Sequence, residues 1–122
     1  MVVIDTSAWI EMLRPKGRVE VVERVNAHLR EGAACLVPMV RLELWNGARG
    51  AREKAALREF ESALPELEMD TEVWALACRL ARLARVGGLT VPSTDILIFA
   101  CARRHGAKIE AADAHFSELE KL

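Results

Sequence analysis

Short apolar runs alternate with longer stretches of helical periodicity along this chain, and that alternation leaves few folds open to it. Val2-Val3-Ile4 reads as a buried central strand, Ala33 to Val37 as a second, Leu67-Glu68-Met69 as an edge strand and Ala107 to Ala111 as the last. Asp5-Thr6-Ser7 offers N-cap residues to a short helix over Ala8 to Arg14, stopped by Pro15 and Gly17. Val19, Val22, Val25, Ala27 and Leu29 support a second helix, closed near Gly32. Pro38 opens a helix that runs through Trp45 to Gly47, and a charged helix follows from Ala51 to Leu64, ended by Pro65. Asp70 and Thr71 cap a long helix whose Val73, Leu76, Ala77, Leu80 and Ala84 keep helical spacing up to Gly87-Gly88. Pro92-Ser93-Thr94 begins another, ending at Gly106, and a short terminal helix follows the last strand. Strands separated by helices need crossover connections, and right-handed crossovers yield a mostly parallel sheet flanked by helices. The expected fold is therefore α/β, one domain over residues 1–122.

Four acids stand where strands hand over to helices or inside the helices that follow. Asp5 closes the first strand, Glu43 lies in the helix after Pro38, Asp95 opens the helix Ile96-Leu97-Ile98-Phe99, and Asp113 follows the last strand. If the strands are parallel, all four gather at one edge of the sheet, where open α/β sheets bind ligands. Taken singly, each has an ordinary explanation. Asp5 and Asp95 suit helix caps and Asp113 suits a turn. Glu43 falls on the apolar side of its helix, between Met39, Val40 and Gly47, where an ion pair with Arg41 or Arg14 is the structural alternative. Jointly they point elsewhere. Two carboxylates about 5 Å apart repel by roughly 3 kcal/mol at an effective dielectric of 20. A cluster of them must raise its own pKa values or hold a cation. Oxygen-only ligands suit Mg²⁺ or Mn²⁺ and phosphate chemistry.

The composition narrows the class further. Hydrophobic residues are 52% of the 122, enough for a core. The net charge of -1, from 17 basic and 18 acidic residues, excludes a histone-like binder, so any contact with nucleic acid is local. Cys35, Cys78 and Cys101 make no CxxC pattern and each sits in an apolar run, which fits buried, reduced thiols of a cytoplasmic protein. No signal peptide is visible, and the longest near-apolar run, Ile96 to Ala102, cannot span a bilayer.

With the four acids in view, the chain resembles the PIN-domain family, and within it the VapC-type toxin ribonucleases. Val3-Ile4-Asp5-Thr6-Ser7-Ala8 is similar to the family's opening strand and acid. Glu43-Leu44-Trp45-Asn46-Gly47, Ser93-Thr94-Asp95-Ile96 and Ala111-Ala112-Asp113-Ala114-His115-Phe116 are similar to its later motifs. The resemblance covers nearly the whole chain. It implies a Mg²⁺- or Mn²⁺-dependent endoribonuclease, the toxin of a type II toxin–antitoxin pair, with a small antitoxin as partner and a homodimeric habit. It implies metal ligation by Asp5, Glu43 and Asp95, with Asp113 as a fourth acid acting directly or through water, and Thr6 or Ser7 supporting Asp5. It also allows a further edge strand, so four or five in all. Ala111 and His115 stand where many relatives carry a hydroxyl residue and an acid or amide.

Other residues carry less. Arg49 and Arg52, just beyond the Glu43 helix, are preferred as substrate contacts. Arg79, Arg82 and Arg85 read as a solvated helix face rather than an RNA stripe. His115, beside Phe116, reads as a surface histidine rather than a ligand, and His28 and His105 as structural or exposed. Trp9, Trp45 and Trp74 read as core or interface. Among rival functions, a haloacid-dehalogenase-type phosphatase needs a second Asp where Ser7 stands. A response-regulator receiver needs an acidic pair and a late Lys, whereas Lys108 precedes its strand. A PIN-like module that binds RNA or protein without cleaving is the remaining alternative, and the presence of all four acids argues against it.

Overall fold

The computed structural model describes residues 1–122. Its elements are β1 (Val2–Ile4), α1 (Thr6–Leu13), α2 (Val19–Arg30), β2 (Ala34–Cys35), α3 (Pro38–Gly47), α4 (Gly50–Ala63), α5 (Thr71–Val86), α6 (Ser93–Arg104), β3 (Lys108–Glu110) and α7 (Ser117–Glu120). The boundaries follow the punctuation of the sequence. Asp5 and Asp70 cap α1 and α5 through their side chains, accepting from the N–H groups of Ser7 and Val73. Pro38 occupies the first turn of α3, where its missing N–H costs nothing. The turns after α2 and α6 use Gly32 at φ 69° and Gly106 at φ 68°, a region that favours glycine.

The sheet is parallel and runs β2-β1-β3, so β1 lies in the middle. It has three strands, which corrects the expectation of four or five. The segment Leu67-Glu68-Met69 does not form an edge strand. It is reduced to one parallel bridge between Leu36 and Glu66, in which Leu36 N–H donates to the Pro65 carbonyl and Leu67 N–H to the Leu36 carbonyl, each at 2.8 Å. The ladder stops there because the next donor on that edge would be Pro38, which has no N–H to give to the Leu67 carbonyl and opens α3. The Glu68 carbonyl meets α6 and its C-cap instead: His105 Nε2 lies 2.7 Å from it and the Cys101 thiol donates to it at 3.8 Å. After β3 the chain turns towards α7, and no further strand pairs with the sheet.

One core cluster of 26 buried residues joins the sheet to the helices. Val3 and Ile4 of β1 are fully buried, as expected for a middle strand covered on both faces. Helix α6 is buried over every residue from Ile96 to Ala102, which explains why its sequence is apolar all round. Each large side chain so buried contributes roughly 1.5–3 kcal/mol from the apolar surface removed from water. Trp9 is fully buried and stacks at 4.4 Å on Phe60, placing it in the core. Trp74, on α5, is half exposed. Cys35 and Cys101 are buried free thiols as expected, but Cys78 is exposed, because it lies on the outer face of α5. Arg79, Arg82 and Arg85 are exposed along the same helix. No helix is long and apolar enough to cross a membrane.

Candidate active site

The strand order places a topological switch point between β1 and β3. From β1 the chain goes to β2 on one side of it, and after β2 it returns past β1 to β3 on the other. The crevice beyond the C-terminal ends of these two strands is where such sheets bind ligands. Asp5 stands at the mouth of that crevice, directly after β1. Its N–H donates to the Glu110 carbonyl at the end of β3, 2.9 Å away, which fixes its backbone to both strands. Its side chain is buried and accepts from Ser7 N–H at 3.1 Å and Ser7 Oγ at 2.7 Å. Position at a helix N-terminus also favours its negative charge. Asp5 is thus a helix cap and a site acid at once.

Ser7 joins Asp5 to the segment after β3, since its Oγ also accepts from Ala112 N–H at 3.0 Å. From that segment His115 reaches into the crevice. Its Nε2 lies 3.2 Å from Asp5 Oδ2 and its Nδ1 lies 3.3 Å from Asp95 Oδ2. The ring stands as a wedge between two acids, one facing each ring nitrogen. Phe116 packs edge-on against it at 4.4 Å.

Asp95 projects from the first turn of α6 and Glu43 from the middle of α3. Glu43 is held by Thr6, whose Oγ1 donates to Oε1 at 2.7 Å. No arginine pairs with it. Arg41 is engaged by Glu66 at 2.6 Å and Glu61 at 3.3 Å, and Arg14 by Glu11 at 2.9 Å. The Glu43 carboxyl is pushed above the usual range by burial, against the Thr6 hydrogen bond, with repulsion from Asp5 and Asp95 adding to the rise. Asp95 is pushed up by burial first; His115 opposes the rise and Asp5 adds to it. Three carboxylates from three elements therefore feel one another in one partly desolvated crevice.

Asp113 does not join them. It is exposed, and Arg18 Nη1 faces it at 3.4 Å. The same guanidinium donates to the Ala112 carbonyl at 3.2 Å. The Arg18 N–H in turn donates at 3.0 Å to Glu11, a buried acid. Thr6 and Ser7 divide the supporting role, Thr6 holding Glu43 and Ser7 holding Asp5. Arg49 lines a cavity of ≈ 360 Å³ that begins at Thr6 and Glu43, while Arg52 lies exposed on α4 outside it. The sequence reading passed over His115 as a site residue, although its place two residues after Asp113 was the available signal. Arg18 had no such signal, because Ala112 and Asp113, which it meets beside the crevice, lie over ninety residues away.

The donor chemistry fits a hard divalent cation. The acids are oxygen donors, mutually repelling and short of compensating positive charge. No three His, Cys, Asp or Glu side chains are arranged to hold a metal ion as they stand. The His115 ring stands between Asp5 and Asp95 and keeps their oxygens on opposite sides of it.

Comparison with known proteins agrees with this fold. The family model described as the PIN domain matches residues 2–122. Ribonuclease VapC11 of Mycobacterium tuberculosis is 36% identical over 126 aligned positions, covering 100% of this chain and 93% of the relative. Ribonuclease VapC18 of the same organism is 31% identical, covering 98% and 87%. Among solved structures, VapBC-1 from nontypeable Haemophilus influenzae superposes with a TM-score of 0.78 at 18% identity, over 100% of this chain and 95% of that one.

Proposed function

This chain belongs to the PIN-domain family, and from that premise we propose that it is an endoribonuclease of the VapC type, the toxin of a toxin–antitoxin pair, hydrolysing RNA phosphodiester bonds with Mg²⁺ or Mn²⁺. The observation that carries the reading is the convergence of Asp5, Glu43 and Asp95 at the C-terminal edge of the sheet, two of them with raised pKa values and none with an arginine partner.

Asp5, Glu43 and Asp95 are the residues that would hold the cation, with His115 turning out of the space between Asp5 and Asp95 as they do. Bound there, a divalent cation supplies Lewis-acid polarisation of a phosphoryl oxygen and lowers the pKa of water. The protein's own residues supply the rest. Ser7 and Thr6 fix the carboxylates of Asp5 and Glu43 before substrate arrives, so little reorganisation is left for the reaction. Asp113, at the rim with Arg18, would act through water rather than directly.

A small cognate antitoxin and a second copy of the chain are the proposed protein partners, in the cytoplasm. The half-exposed Trp74 and exposed Leu83 on α5 support an association surface. A PIN-like module that binds without cleaving is the second reading, and the His115 wedge favours it. Incubating the partner-free protein with total cellular RNA and Mg²⁺ or Mn²⁺, beside chelated and Asp5→Asn controls, separates the two. Discrete products from the wild type alone, abolished by chelation, are expected. Intact RNA from a folded, metal-supplied protein would favour the binding module.

A further inference from the structure

The ≈ 360 Å³ cavity beside the acids has a lining that the three carboxylates alone do not explain. It is a groove between α1 and α3. Thr6, Ile10 and Leu13 line one wall at helical spacing, and Glu43, Leu44, Gly47 and Ala48 line the other. Arg14 and Arg49 close its far end. The near end is therefore the Thr6–Glu43 pair of the reaction centre, the floor is aliphatic, and the far rim is cationic.

Both guanidiniums are open to an anion. Glu53 also lines the groove, but its carboxylate accepts the Arg49 main-chain N–H at 2.7 Å, and no carboxylate lies within ion-pair distance of the Arg49 guanidinium. Arg14 gives one nitrogen to Glu11 at 2.9 Å and is largely exposed beyond that contact. Arg14 stands eight positions after Thr6, just past the end of α1, a rise of about 12 Å. A phosphate at the carboxylates cannot reach that far, so the two arginines meet a neighbouring phosphate of the same strand. A single-stranded RNA offers what this lining asks for, namely a flat apolar base face linked to a regularly spaced anion.

Resting on the ribonuclease reading above, we propose that this groove is the subsite for the nucleotide next to the scissile phosphate, with its base on Ile10, Leu13 and Leu44 and its flanking phosphate on Arg14 and Arg49. The site would then select among RNA sequences through the size and shape of one base.

Gly47 provides the test, because a Cβ placed there meets nothing within 4 Å. Gly47→Leu should narrow the groove without straining the fold, and Arg49→Ala removes the free guanidinium while leaving the main-chain bond to Glu53. Arg30→Ala, at the exposed end of α2, is the control. Two quantities are read: affinity for fluorescein-labelled short single-stranded RNA in chelator at several salt concentrations, and base preference around cut sites by end-sequencing of digested RNA. Melting curves accompany each variant. Arg49→Ala is expected to weaken binding several-fold and to lower the slope of log affinity against log salt by about 1. Gly47→Leu is expected to change the preferred base beside the cut, and Arg30→Ala to do neither. If wild type cuts RNA but both groove variants keep its affinity and base preference, the subsite is wrong while the ribonuclease reading stands. If wild type does not cut but Arg49→Ala and Gly47→Leu still weaken RNA binding, the groove is an RNA site and the cleavage reading fails alone.

Discussion

Replacing Ser7 by alanine removes one oxygen that serves two partners in the interior. The hydroxyl donates to Asp5 Oδ2 at 2.7 Å and accepts from Ala112 N–H at 3.0 Å. A hydrogen bond to a charged group contributes about 1.5–3 kcal/mol, and an orphaned buried donor costs about 1–3 kcal/mol. Asp5 keeps the Ser7 N–H and His115 as partners, and Ala112 is only partly buried, so both losses belong at the low end of their ranges. The expected destabilisation is about 2–3 kcal/mol. At an unfolding entropy of about 2.1 cal/mol/K per residue, a chain of this length loses about 4 °C per kcal/mol, so Tm should fall by about 8–12 °C. Scanning calorimetry without metal measures this directly. The same variant should bind Mn²⁺ about 10- to 100-fold more weakly, since Asp5 loses the group that orients it. A Ser7→Ala protein that melts within about 2 °C of wild type and binds Mn²⁺ equally well would refute the view that Ser7 joins the first acid to the segment after β3.

Glu43→Gln should stabilise the metal-free fold at neutral pH by about 0.5–2 kcal/mol, as removal of a strained functional charge commonly does. Its carboxyl is raised in the fold, so the stability cost is absent below the unfolded pKa and builds as pH rises towards the folded one. The gain should therefore close in acid, and denaturant titrations at neutral and acid pH give the comparison. Gly17→Ala should cost about 1–3 kcal/mol or prevent folding, because its Cβ would fall 1.8 Å from the Glu11 carbonyl oxygen; urea unfolding reads it. RNA cleavage should fail in mild acid, because cation binding needs Glu43 and Asp95 ionised and both are raised. Thr6→Val removes the bond that lowers the Glu43 pKa, so its acid limb should move to higher pH, and an unmoved pH–rate profile would contradict that role.

The alternation of strands and helices was legible because its signals are local. Pro38, Asp70, Gly32 and Gly106 act on their own neighbours, and the elements begin and end beside them. The meeting of Asp5, Glu43 and Asp95 in one crevice was legible for the same reason, as each lies at a fixed offset from an element whose direction follows from the strand order. What failed was non-local. Leu67-Glu68-Met69 has a strand's composition, but its neighbour across the ladder is Pro38, which has no N–H to donate, so pairing stops at the Leu36–Glu66 bridge. Glu43 was correctly read as lying on an apolar face, yet its partner proved to be Thr6, a residue assigned to Asp5 instead. Asp113 was drawn to the cluster by its position after β3, but the tilt of the following turn hands the crevice to His115 and leaves Asp113 with Arg18. Side-chain direction in a turn of a few residues is set by tertiary partners that a linear pattern does not contain.

The account turns on the three carboxylates being a cation site, and Mn²⁺ titration calorimetry tests that most directly. Wild type, Asp5→Asn and Asp95→Asn would be titrated in two buffers of different ionisation enthalpy. The predicted result is binding by wild type with release of protons, as the raised carboxyls of Glu43 and Asp95 ionise, and strongly weakened binding by both variants. Binding of equal strength in all three proteins, or RNA cleavage by a wild type that takes up no Mn²⁺, would contradict it.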